Sequence, residues 1–190
     1  MIPLYKLFSL LFFTLLVSCL PLQRTGIKDS PPSGEKYLQT DKSGLTFSYA
    51  TLKTVHGVLT IRFFSKKAPK SVKRILHLIQ GGFYDGLSFH RVIKNFIIQT
   101  GDPTNTGSGG SGIKLKQEFN NIPHIKGTIA LAKGQNLDSA DSQFYIALST
   151  LPHLDKKYTV IGQVTNGLDI LNKILKGDKI ISLTFNSNPF

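Results

Sequence analysis

The stretch Ser88-Phe89-His90-Arg91-Val92-Ile93-Lys94-Asn95-Phe96-Ile97-Ile98-Gln99-Thr100-Gly101-Asp102 constrains this chain more than any other. Two short apolar runs, Phe89 to Ile93 and Phe96 to Ile98, flank a Lys94-Asn95 turn pair. Aromatic and β-branched residues at this density favour paired strands. One guanidinium (Arg91) and one carboxamide (Gln99) interrupt them. An Arg in an apolar strand is costly to bury unpaired. Two readings are open. Arg91 either reaches the surface or a carboxylate, or it is a cationic hydrogen-bond donor on the floor of a hydrophobic groove.

The surrounding sequence supplies more strands. Thr46 to Thr54 and Val58 to Phe64 read as a hairpin across His56-Gly57. Pro69 suits the first position of a helix, and Val72, Ile75, Leu76 and Ile79 follow with helical spacing until Gly81-Gly82 stops them. Strands are expected near Thr128 to Lys133, Gln143 to Leu148 and Thr159 to Thr165, with a last one from Lys179 to Phe185. Leu168, Leu171, Ile174 and Leu175 suggest a second helix ended by Gly177. Strands that do not alternate with helices argue against βαβ units. A closed antiparallel barrel with a helix at each end is the expected solution, because closure removes exposed edges.

The N-terminus has a different texture. A single charge, Lys6, precedes an apolar run from Leu7 to Val17, too short to span a ~30 Å hydrocarbon core comfortably. Positive start, short apolar centre and a small residue before the cut match a secretory signal over residues 1–18, the alternative being an uncleaved anchor. Leu16-Val17-Ser18-Cys19 resembles the bacterial lipobox and uses the only cysteine in the chain. That resemblance implies acylation of Cys19 and stable membrane anchoring on the periplasmic side. Leu20 follows, which in the enterobacterial sorting pattern points to the outer membrane. Residues 19–44, rich in Pro, Gly and polar residues, read as a flexible tether, and residues 45–190 as one folded domain.

Other chemistries find little support. The formal charge is +12, but the basic residues are scattered without interleaved aromatics, so specific nucleic-acid binding is not expected. The five histidines, His56, His77, His90, His124 and His153, lack close metal-ligand spacing, and no metal or cofactor is expected. Gly107 to Gly112 fits the letters GxGxxG but neither follows a convincing strand nor opens a helix, and Ile113 stands where a phosphate loop needs Lys. It reads as a flexible surface loop.

Four ordered motifs carry a resemblance. They are Phe89-His90-Arg91-Val92-Ile93, Phe96 to Asp102, Gly127-Thr128-Ile129-Ala130-Leu131-Ala132 and Asp141-Ser142-Gln143-Phe144-Tyr145-Ile146. Together with Ala68 to Val72 and Leu154-Asp155, they resemble the cyclophilins, a family of peptidyl-prolyl cis-trans isomerases. The resemblance implies a mainly β fold: a closed eight-stranded antiparallel β-barrel capped by two α-helices. It also implies isomerisation of X-Pro bonds in proline-containing polypeptides, without a cofactor. A monomer is expected. Arg91 matches the family's catalytic arginine, and Gln99 the glutamine beside it. Phe96, Ile97, Tyr145 and Leu154 match the hydrophobic proline pocket, with Tyr145 where Phe is usual. Ala132 and Lys133 match the pair whose backbone meets the substrate. His153 stands where Trp or Phe is usual, and Tyr158 where His or Tyr is found. The competing function is a lipid-anchored module that grips proline-containing segments without turnover. Strand alternation is expected to turn His90 away from the groove.

Overall fold

The structure is a computed structural model that describes residues 39–40 and 46–186. The expected signal sequence, Cys19 and most of the tether lie outside the described residues. Gln39–Thr40 (β1), within the span assigned to the tether, pairs with the start of Thr46–Thr54 (β2). The strands that follow are Gly57–Phe63 (β3), Arg91–Ile93 (β4), Ile97–Thr100 (β5), Thr128–Leu131 (β6), Phe144–Ala147 (β7), Val160–Asn166 (β8) and Ile180–Asn186 (β9). All pairings are antiparallel, and from β9 the order across the sheet is β9-β2-β3-β8-β6-β7-β5-β4.

This mainly β sheet curls into an open half-barrel and not the closed barrel expected. The end strands β4 and β9 form no ladder with each other. β4 is only three residues long, cut short by the turn at Asn95, whose φ is 59°. The seam is instead stitched between the segment before β4 and the first residue of β9, where Gly86 N–H donates to Ile180 C=O and Ile180 N–H to Leu87 C=O, both at 2.8 Å. Phe89 N–H donates to Asp178 C=O nearby, also at 2.8 Å.

One α-helix is present among the described residues, Pro69–Gln80 (α1). It buries Val72, Ile75, Leu76 and Ile79, as their spacing predicts, along with Leu78. Its free N-terminal amides are satisfied from a distant loop: Lys70 and Ser71 N–H donate to the two Glu118 carboxylate oxygens at 3.1 and 2.7 Å. The expected second helix is absent, and a 3₁₀ turn, Ile170–Lys173, stands in its place. Of its four apolar residues, Leu171 and Ile174 reach the core, whereas Leu168 and Leu175 are 37% and 62% exposed. Two core contacts three residues apart match the three-residue period of a 3₁₀ turn. The segment then closes on itself, with Leu175 N–H donating to the Asp178 carboxylate at 2.7 Å.

Two apolar clusters explain why β5, β6 and β7 are buried along their whole length. Ile98, Ile129, Leu131, Phe144 and Ile146 point into the main core with α1. Ile97, Ala130, Tyr145 and Ala147 point the other way, into a smaller cluster under Phe96, Ala132, Leu154 and Tyr158. Strands covered on both faces lose their alternation and become continuous apolar runs. The smaller cluster is the floor of the candidate site.

Candidate active site

Strand register places the key side chains in one row. Arg91 pairs with Gln99 across β4 and β5, Gln99 with Tyr145 across β5 and β7, and Tyr145 with Ala130 across β7 and β6. Paired residues share a face of the sheet. A cavity of about 190 Å³ opens over this row, lined by Arg91, Phe96, Ile97, Gln99, Ala132, Lys133, Tyr145, Leu154 and Tyr158. Nine of the ten residues expected at the site from sequence therefore meet at one cavity. His153 is the exception. It sits exposed on the 3₁₀ turn Pro152–Leu154 and stacks its ring on Phe96, with centroids 5.9 Å apart and planes at 9°.

The cavity has one cationic wall and one aromatic wall. Arg91 Nη1 donates to Gln99 Oε1 at 3.2 Å. Gln99 is buried and passes the chain on, its Nε2 donating to Gln143 Oε1 at 2.8 Å. Gln143 Nε2 donates in turn to the carbonyls of Gly107 and Gly109, at 3.0 and 2.8 Å. The direction of every bond is thus set from the loop to the guanidinium. Opposite, the Tyr145 and Tyr158 rings meet edge to face at 5.5 Å and 87°. Lys133 Nζ lies 5.2 Å from the centre of the Tyr158 ring, a cation–π contact. Burial pushes the Tyr145 phenol well above its ordinary pKa, with Tyr158 and Asp155 adding to the effect, so the hydroxyl stays protonated.

Sequence reading missed the residues that hold this arrangement. The Gly/Ser loop is fastened by two carboxylates rather than free. Asp102 accepts from Thr104 N–H and Oγ1, both at 2.7 Å, and from Gly107 and Gly109 N–H at 2.6 and 3.2 Å. Asp141 accepts from Ser111 N–H and Oγ, at 2.9 and 2.5 Å, and from Gly112 N–H at 3.1 Å. A Cβ at Gly109 would stand 2.1 Å from Asp102 Oδ1, so a side chain at this position collides with the anchoring carboxylate. Gly101 is similarly constrained: its φ is +91° and a Cβ would fall 2.4 Å from Ser142 C=O. The available signal was a pair of acidic residues on either side of the glycines, each bordering an apolar strand. His90 precedes β4 and is not among the residues that line the cavity. Burial lowers its pKa, with Asp102 and Gln143 opposing the shift and Arg91 and Lys176 adding to it.

Residues 49–184 match the family described as cyclophilin type peptidyl-prolyl cis-trans isomerase/CLD. A peptidyl-prolyl cis-trans isomerase of Helicobacter pylori is 43% identical over 145 residues, 74% of this chain and 88% of that protein. One from Synechococcus elongatus is 42% identical over 137 residues, 70% of this chain and 93% of that protein. Among solved structures, a cyclophilin type peptidyl-prolyl cis-trans isomerase of Cryptosporidium parvum covers 75% of this chain and 99% of its own. It superposes with a TM-score of 0.71 at 30% identity. The same protein has been crystallised in the presence of the dipeptide Ala-Pro, at a TM-score of 0.69 over 74% of this chain and 99% of its own.

Proposed function

The chain belongs to the cyclophilin-type peptidyl-prolyl cis-trans isomerases, and from that premise we propose that catalysis is carried by Arg91 beside the 190 Å³ cavity. The supporting observation is the hydrogen-bonded line from the Gly/Ser loop through Gln143 and Gln99 to the guanidinium, ending at the edge of an apolar pocket. An X-Pro bond resists rotation because its C–N bond is partly double, with a barrier of ~18–20 kcal/mol. In the twisted transition state that resonance is lost and the nitrogen lone pair becomes localised. A donor aimed at the nitrogen or the prolyl carbonyl stabilises the twisted form more than the planar one. Arg91 stays charged, and its fork is steadied by Gln99. The aromatic and aliphatic wall of Phe96, Ile97, Tyr145 and Leu154 holds the pyrrolidine ring while the preceding carbonyl turns. Ala132 and Lys133 bind the peptide backbone along the rim, with Tyr158 and His153 bounding the groove. No covalent intermediate is involved.

The direct test is Arg91→Ala in the full-length protein, followed by exchange NMR on an X-Pro peptide. Isomerisation falls by on the order of a hundredfold or more, as for removal of a transition-state donor, while the melting temperature is kept. Unchanged isomerisation would sink the role given to Arg91.

We further propose that the enzyme is exported and lipid-anchored. An apolar leader ending in Leu16-Val17-Ser18-Cys19 supports export and lipid attachment at Cys19. The clients are then exported proline-containing chains folding near a membrane, and the enzyme is held there by its lipid.

A further inference from the structure

Tyr145 brings a hydroxyl into an apolar wall while remaining only 3% exposed. Such a group is costly unless it finds a partner. The partner is His124 Nε2, 2.9 Å away. His124 is itself fully buried. Its Nδ1 lies 2.8 Å from Asp155 Oδ1, and the same oxygen accepts the His124 backbone N–H at 2.8 Å. A carboxylate only accepts, so Nδ1 carries the hydrogen. In the neutral ring Nε2 is left with its lone pair, and the tyrosine hydroxyl donates to it.

His124 also grips the other side of the pocket. Its carbonyl accepts Leu151 N–H at 2.8 Å, and Leu151 C=O accepts Leu154 N–H at 3.0 Å. Asp155 follows Leu154 directly. One buried residue thus joins the Tyr145 wall to the turn that carries His153 and Leu154. Neither His124 nor Asp155 lines the cavity. The His124 ring lies nearly parallel to that of Tyr145, at 6.0 Å and 17°, and meets Tyr158 edge-on at 6.4 Å and 77°.

We propose that His124 is a positioning residue for the prolyl ring. It acts through the Tyr145 hydroxyl to fix the spacing between the tyrosine wall and the 151–155 turn. The role presupposes the catalytic reading of the cavity given above. It exists because residue 145 is tyrosine, since a phenylalanine there offers His124 nothing to hold. Binding surfaces lose much of their effect when a supporting group lets them drift by about an ångström.

The test separates the two hydrogen bonds of the imidazole. His124→Asn keeps a donor near Asp155 and withdraws the acceptor from Tyr145. His124→Gln places an amide oxygen near the Nε2 position. Steady-state isomerisation by the full-length protein shows KM about threefold to tenfold higher in His124→Asn, with kcat within about twofold. KM returns to within about twofold of the parent value in His124→Gln. In a Tyr145→Phe background His124→Asn adds nothing, because the hydroxyl it acts through is gone. An equal rise in both backgrounds, or none in either, overturns the proposal. Should His124→Asn not fold, long-range ¹⁵N NMR of the parent and of Tyr145→Phe at about pH 8 decides. A bare Nε2 whose resonance moves on loss of the hydroxyl supports it, and a protonated Nε2 overturns it. A parent protein without isomerase activity defeats the catalytic reading instead, and the NMR readout still judges His124.

Discussion

Asp102 has no accessible surface, yet it keeps its charge. Burial alone raises its pKa, but hydrogen bonds from Thr104, Gly109 and Gly107 outweigh burial and bring it down to about 2. In the unfolded chain the same carboxyl titrates near ~3.9. Between those values the unfolded chain binds more protons, so the stabilisation is complete above about pH 4 and is lost as pH falls through about 2. Melting curves recorded as a function of pH decline through this window in the parent protein. Asp102→Asn melts lower at neutral pH and shows a flatter acid limb. Parallel acid limbs in the two proteins would show that Asp102 is not the titrating group. Residues of this kind escape sequence reading. Asp102 ends a recognisable motif, but its function as an anchor depends on amides that only the folded Gly/Ser loop turns toward it. Tyr145 is similar: the substitution is visible in the sequence, while the partner of its hydroxyl, His124, is 21 positions away.

At the scale of an element, β5 shows how one strand serves two ends. Ile98 faces the main core and is fully buried, whereas Ile97 faces the cavity with Phe96 and Leu154. Ile98→Ala lowers stability by about 2–5 kcal/mol in urea denaturation and leaves KM within about twofold. Ile97→Ala raises KM by about fivefold, because it removes binding surface from the prolyl pocket. The reverse allocation would contradict the facing derived from the register. Local propensity does not distinguish the two isoleucines; the family resemblance singles out Ile97, and the sheet register turns Ile98 to the opposite face. The first helix was legible, because Pro69, four core residues at helical spacing and a double glycine agree with one another. The second was not. Leu168 to Leu175 has helical spacing, but its ends turn outward and the segment folds back on Asp178. Nor does the composition of the glycine loop reveal that Asp102 and Asp141 hold it.

At the scale of the molecule, the proposed anchor lies in the N-terminal sequence, outside the described residues. None of the helices among the described residues is long and apolar enough to cross a membrane. The proposed membrane attachment rests on the leader sequence and Cys19. Cys19→Ala leaves the parent protein's membrane fraction and appears in the soluble fraction after a high-salt wash. Retention of the variant on membranes would rule out lipid attachment as the anchor. The formal charge of +12 gives a salt-sensitive contribution to any anionic surface, which is why the wash matters.

The sequence alone determined the family, the first helix, the hairpin pattern and nine residues that line the cavity. These are carried by local propensity and by short motifs whose side chains must sit a fixed number of residues apart. Tertiary structure decided what closes the sheet, which face each strand offers, and what holds the site still. β4 is too short to pair with β9, so the barrel remains open and the segment before β4 closes the seam through backbone bonds to Asp178 and Ile180. Arg91, oddly placed in an apolar strand, gains its setting from Gln99, Gln143 and a glycine loop. Hydrogen bonds of that kind join residues distant along the chain, and they exist only once the strands between them have found their register.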